Sequence, residues 1–267
     1  MKKLLLTLTA AAMIFSGCSS ERDDIPQMDG NVLGLCKVQA ETSDDSAVEI
    51  QTIGQEGFKL YEYESSTGKL LQQSVWKELD NNWTPVKPIE AVASDKISAV
   101  YPIVEKQEDG KVVLKAGVNN MTALTTIDRA KTNQAEIEFK HQMCQISYNF
   151  KDNEGNIIPV GEENGMITKV IMVQPSQMTY NLLTGETEIA ADMTELQLSS
   201  KTVNYIIPGA EGCEFKVDYK DSEGTIHKFT CKPEDKFVKN KKYDLDFTMD
   251  PATRSLAGIT IRLENWN

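Results

Sequence analysis

The side chains of this 267-residue chain that could do chemistry are few: five cysteines, two histidines and the aspartates Asp244 and Asp246. His141 and Cys144 look like a metal pair by spacing. The alternation around them is that of a strand, where residues three apart face opposite ways and cannot converge on one ion. His227 lies between Ile226 and Lys228 in a hairpin pattern and is expected to be exposed or hydrogen-bonded there. Asp244 and Asp246 share a strand face, but the interleaved donors and glycine of a calcium loop are missing, so a solvated edge is the expectation. No Gly-x-Ser-x-Gly elbow, phosphate loop or Cys-x-x-Cys occurs. The expectation is therefore no catalytic residue, no metal and no cofactor.

Cys18 has a different context. Met1-Lys2-Lys3 is basic, Leu4 to Phe15 is apolar apart from Thr7 and Thr9, and Ser16-Gly17 are small residues directly before the cysteine. The run is too short to span a bilayer and resembles a bacterial lipoprotein signal, with Cys18 as the lipidated residue after removal of residues 1–17. Phe15 departs from the usual leucine of that motif. Acyl chains then hold the protein on a membrane without a transmembrane helix. Residues 18–31, with Glu21, Asp23 and Asp24, have the composition of an acidic tether. Of the other cysteines, Cys36 and Cys144 are expected to be buried apolar residues. Cys213 and Cys231 fall on the same face of one hairpin, and register decides their fate. They are directly opposite if residue 220 pairs with 224, and diagonal, too far to bridge, if 221 pairs with 225. The glycine of that turn favours the second register.

Overall composition narrows the function classes. Lys and Arg number 28 against 40 Asp and Glu, a net charge of −12, which argues against nucleic acid or an anionic membrane surface as partner. The elements that must position any site are β-strands. Alternation with β-branched and aromatic residues marks Phe58 to Tyr63, Lys96 to Tyr101, Val112 to Leu114, Ile137 to Phe150, Met166 to Val173, Val203 to Ile207, Phe215 to Tyr219, Ile226 to Cys231, Tyr243 to Met249 and Ile259 to Leu263. A first strand is expected over Val32 to Val38 and a second over Val48 to Ile53, with Glu41 to Ala47 as the loop between them. No helix of ten residues is expected. Four connections, ending at Gly68, Gly110, Gly155 and Gly224, have the chemistry of a type I turn closed by a left-handed glycine. The reading is an all-β chain of stacked antiparallel hairpins in two β-sandwich domains, residues 32–140 and 141–267.

Several blocks together carry a family resemblance. They are the Cys18 lipobox, Phe58-Lys59-Leu60-Tyr61, the Trp76 and Trp83 segment running to Tyr101-Pro102, Phe139-Lys140-His141, and the ending Ile259 to Trp266. In this order they resemble the Bacteroides-type fimbrillin superfamily, the FimA and Mfa-like subunits of type V pili. The resemblance implies two tandem transthyretin-like antiparallel β-sandwiches, export as a lipoprotein to the outer membrane, and polymerisation with other fimbrillin subunits by strand donation. It also implies a surface-exposed fimbrium whose adhesion partners are host or bacterial surface ligands. His141 becomes a structural mark. Stalk subunits of the family are opened by an arginine-specific protease after the first strand, yet Glu41 to Ala47 contains no arginine or lysine. That departure points to a subunit that keeps its lipid, as an anchor or tip. Asp45-Ser46-Ala47 resembles a short O-glycosylation signal, with Ser46 the acceptor. An alternative is a surface lipoprotein adhesin or glycan-binding module, with Trp76 and Trp83, near Tyr61 and Tyr63, as stacking residues.

Overall fold

The computed structural model describes residues 32–41, 46–90, 95–107, 109–128, 131–161, 166–209, 211–234, 236–250 and 255–265. The first half contains β1 (Gly34–Ala40), α1 (Ser46–Glu56), β2 (Phe58–Glu64), β3 (Leu70–Leu79), β4 (Asn82–Pro85), β5 (Asp95–Tyr101), β6 (Lys111–Lys115), β7 (Met121–Ile127) and β8 (Gln134–His141). The second half contains β9 (Cys144–Lys151), β10 (Ile167–Pro175), β11 (Gln177–Asn181), β12 (Thr187–Ile189), β13 (Met193–Gln197), β14 (Asn204–Ile206), β15 (Glu214–Lys220), β16 (Ile226–Cys231), β17 (Lys241–Asp250) and β18 (Ser255–Asn265).

The all-β reading holds, and the turn chemistry explains much of it. Gly68, Gly110, Gly155 and Gly224 all have positive φ, between 69° and 86°. In the last of these turns Gly224 N–H donates to Asp221 at 3.0 Å, and Asp221 N–H donates to Thr225 at 3.0 Å, which closes the β15–β16 hairpin. Three expectations are corrected. Residues 46–56 form a helix, not a strand. Val48, Ile50 and Thr52 suggest alternation, but Val48 is 65% exposed while Ile53 is fully buried, so tertiary packing of the Ile50 and Ile53 face overrides β-branched propensity. Gly57, at φ 88°, ends the helix and donates its N–H to Ile53 at 2.7 Å. Second, the run Ile137 to Phe150 is two strands, because the chain turns at Gln142 and Met143 between β8 and β9. Third, the pairing is not wholly antiparallel: β1 runs parallel to β8, and β9 parallel to β17. The strands β3, β4, β7, β11, β12 and β13 had no clear alternation to announce them.

Two layered assemblies result. A seven-stranded sheet has the order β1-β8-β7-β5-β2-β3-β4. Its ends meet: Leu33 N–H donates to Ile89 at 2.9 Å, and Val32 bridges Glu90, so chain just before β1 bonds chain just after β4. The sheet is thus curled around one core, formed by Leu60, Trp76, Ile97, Ala123, Ile137 and Phe139 with Ile53 of α1. Its other face carries Tyr61, Tyr63 and Val100, packed against the three-stranded sheet β12-β11-β6 through Leu114, Met178 and Tyr180. In the second assembly the sheets β13-β10-β15-β16 and β14-β9-β17-β18 enclose a further core. Phe150 stacks on Phe247 at 4.7 Å between centroids, and Phe215 meets Phe247 edge-on at 5.3 Å. This is sandwich packing, with alternate residues of each sheet turned inward.

Candidate functional site

The first strand and the helix after it make the most unusual local arrangement. β1 is an edge strand bonded to β8 alone, yet its Val38 and Ala40 are 9% and 4% exposed, and Val38 joins Leu33, just before the strand and 0% exposed, in the curled core. Burying a leucine or valine contributes about 1.5–3 kcal/mol each. Taking β1 away would expose that core and leave the main-chain groups of β8 unpaired, the condition under which an exogenous strand binds. β1 is not regular: Leu35 faces Ala135 and Lys37 faces Glu136, so Cys36 is the extra residue of a bulge. That explains why Cys36 is exposed rather than buried as expected.

Polar contacts fasten the β1–α1 region at both of its ends. Glu41 accepts from Asn240 Nδ2 at 2.7 Å across 199 residues of sequence, tying the exit of β1 to the loop before β17. In α1, Glu49 Oε2 lies 3.2 Å from His141 Nε2, within ion-pair reach though off the line of a hydrogen bond, and the histidine is 1% exposed. His141 Nδ1 is 3.0 Å from Asn119 Oδ1. Glu56 accepts a 2.7 Å hydrogen bond from the Tyr101 hydroxyl, and burial together with this carboxylate raises the tyrosine pKa far above its ordinary value. His141 therefore works as a structural clamp on a helix that sequence reading did not foresee. Nothing in the spacing of Glu41, Glu49 or Glu56 announces these partners.

The other singled-out residues sit apart. Cys18 lies outside the described residues. Ser46 is the first residue of α1, so the loop expected over Glu41 to Ala47 is two residues shorter than expected. Trp76 is fully buried and offers no ring face to solvent, as are Tyr61 and, nearly so, Tyr63; Trp83 is half-buried with its ring 5.4 Å from Phe58. Phe215 pairs with Cys231 and Lys220 with Ile226, the diagonal register, and Cys213 and Cys231 are both thiols. Burial raises the Cys144 thiol well above its usual value and pushes Cys231 up to about 12. His227 Nε2 lies 2.8 Å from Asp221 Oδ2. Asp246 faces Lys151 at 3.0 Å and Arg262 at 3.4 Å, and Asp244 accepts from Ser147, so both aspartates bind neighbouring strands together. Among the described residues no group of three or more His, Cys, Asp or Glu could hold a metal ion.

The chain is nearly all β, and the described contacts of the residues singled out above hold strands and a helix in place. A family profile for fimbrillin-like proteins matches residues 74–266, and the chain belongs to that family. Fimbrillin-like proteins are structural subunits rather than enzymes. No curated protein matches the chain. Among solved structures it is similar to a candidate cell adhesion protein from Bacteroides uniformis, with TM-score 0.63 and 15% identity over 90% of this chain and 100% of that one. It is also similar to a fimbrial protein from Bacteroides vulgatus, with TM-score 0.55 and 12% identity over 89% and 100% of the two chains. A fimbrial assembly protein from Parabacteroides distasonis gives TM-score 0.52 and 12% identity over 88% and 96%. At these identities the likeness establishes a shared fold.

Proposed function

We propose that this chain is a structural subunit of a cell-surface fimbria, exported as a lipoprotein through Cys18 to the outer membrane and joined to other fimbrillin subunits by strand exchange. Family membership supports the pilus subunit itself. The observation that carries the strand-exchange mechanism is β1: an edge strand with buried apolar side chains, lying in a groove of its own domain. An equivalent strand from a neighbour would restore the same main-chain bonds and fill the same core. The absence of arginine and lysine in Glu41 to Ala47, together with the Glu41–Asn240 and Glu49–His141 contacts, supports a subunit that keeps its first strand, as a lipid-tethered anchor or tip. The domains in this proposal are residues 32–140 and 141–267, with β11 and β12 of the second laid on β6 of the first.

Deleting residues 18–40 tests the mechanism. The truncated chain is expected to form ladders that resist mild detergent, while the full mature chain stays monomeric. A truncated chain that is merely less stable, without ladders, makes β1 an ordinary edge strand.

A further inference from the structure

One end of the curled seven-stranded sheet is covered by α1 through two acidic side chains. Tyr101, Met121 and His141 are neighbours on β5, β7 and β8, since Tyr101 pairs with Met121 and Met121 with His141. His141 lies two residues beyond Phe139 in β8 and so shares the inward face of that strand. Glu49 and Glu56 stand nearly two turns apart on one side of the helix, Glu49 against His141 and Glu56 against Tyr101.

His141 meets an oxygen at each ring nitrogen: Asn119 Oδ1 lies 3.0 Å from Nδ1, and Glu49 Oε2 lies 3.2 Å from Nε2. Neutral imidazole carries one N–H and can serve one of these acceptors; imidazolium carries two and can serve both. Water does not make up the difference, because His141 is 1% exposed and both Nε2 and Glu49 Oε2 are closed to solvent. The groups around the pair supply no other cation. Glu56 is bound by the Tyr101 hydroxyl, and Tyr205 of β14 lies close enough to act on the same phenol. The turn before β7, Ala116 to Asn120, has no charged residue, and Glu41 at the exit of β1 is taken by Asn240. Lys140 and Lys239 are exposed on the opposite face of β8. Among the described residues no lysine or arginine is within ion-pair distance of Glu49 or Glu56. A second N–H on His141 is therefore what lets the Glu49 contact close as an ion pair.

We propose that the His141–Glu49 contact is a proton-dependent latch: at mildly acidic pH the proton between them fastens α1 over the end of the curled sheet, and with it the exit of β1. The proton is held in the latched state and its pairing is lost on opening, so by linkage latching is favoured at low pH and weakens as pH climbs. The consequence for release of β1 rests on the strand-exchange reading, whereas the test reads α1 alone, so either can fail without the other. The test is amide hydrogen exchange of the full chain carrying Cys18→Ser, expressed as protection of α1 relative to β17, from about pH 5 to about pH 8. Protection of α1 is expected to fall about tenfold over that range while β17 holds. Glu49→Gln donates a hydrogen from its own amide to neutral His141, so α1 in this variant should keep its protection at both ends of the range. His227→Gln, which removes the other histidine, should leave the fall at α1 in place. Imidazole nitrogen resonances of His141 in the unmutated side-chain pair need no variant to fold, and loss of the ring proton should track loss of α1 protection. Protection of α1 that ignores pH, a fall that persists in Glu49→Gln or protection that is low throughout in that variant, a fall abolished by His227→Gln, or a His141 ring that titrates with α1 unchanged would each overturn the proposal.

Discussion

Cys36 and Cys144 carry the same side chain and meet opposite environments, because one occupies a bulge and the other the inward face of a regular strand. Their chemistry should differ accordingly. In the folded protein at pH 8, iodoacetamide is expected to label Cys36 well before Cys231, whose thiol is pushed up to about 12 by burial and so is almost wholly protonated at that pH. Peptide mapping after a short pulse checks this; equal labelling of the two would contradict the burial account. The diagonal placement of Cys213 and Cys231 predicts that denaturation without reductant leaves both alkylatable, at a separation of ~7–8 Å that a disulfide cannot span. At the same scale, Cys18→Ser should move the protein out of the membrane fraction and abolish incorporation of labelled fatty acid, while label persisting in the mutant would contradict the proposed anchor.

At the scale of elements, α1 and β1 form one unit over the curled sheet. Ile53 is the apolar centre of the helix face, fully buried among Leu33, Phe58 and Phe139. Ile53→Ala should destabilise the chain by about 2–5 kcal/mol, read as a lower denaturant midpoint. If α1 fastens the exit of β1, the same variant should also make the region after Glu41 cleave faster at limiting protease. A stability loss of that size with unchanged cleavage there would mean that the helix supports the core without guarding β1. Grafting an arginine at Asp44 extends the experiment. After cleavage by an arginine-specific protease, polymers support strand exchange, and a nicked monomer that retains β1 contradicts it.

The whole molecule is not two independent beads. The face formed by Tyr61, Tyr63, Val112 and Leu114 is covered by Met178, Tyr180, Leu182 and Ile207, all from beyond residue 140. A fragment of residues 32–140 should therefore expose a large aromatic and aliphatic surface. It is expected to bind an environment-sensitive hydrophobic dye and to lack the dispersed amide spectrum that the full chain shows. A well-dispersed, dye-silent fragment would mean that the curled sheet folds without its cover. Phe247→Ala, in the other core, should cost about 3–5 kcal/mol, since Phe150 and Phe215 both pack on that ring.

What the sequence determined by itself is local: nine of ten strand segments from their alternation, four glycine-closed turns from their backbone requirement, and the diagonal cysteine register that follows from one of those turns. Each depends on neighbours a few residues apart, where side-chain period and φ are decided. The all-β class and the family resemblance followed from these pieces and from their order. What only tertiary structure decided depends on groups distant in sequence. Residues 46–56 became a helix because an apolar pair found a core; the parallel pairing of β1 with β8 depends on chain curling; His141 found Glu49, and Glu41 found Asn240. Such contacts carry no spacing signature, since the loops between them absorb any offset, and only the packed fold sets which side chains meet.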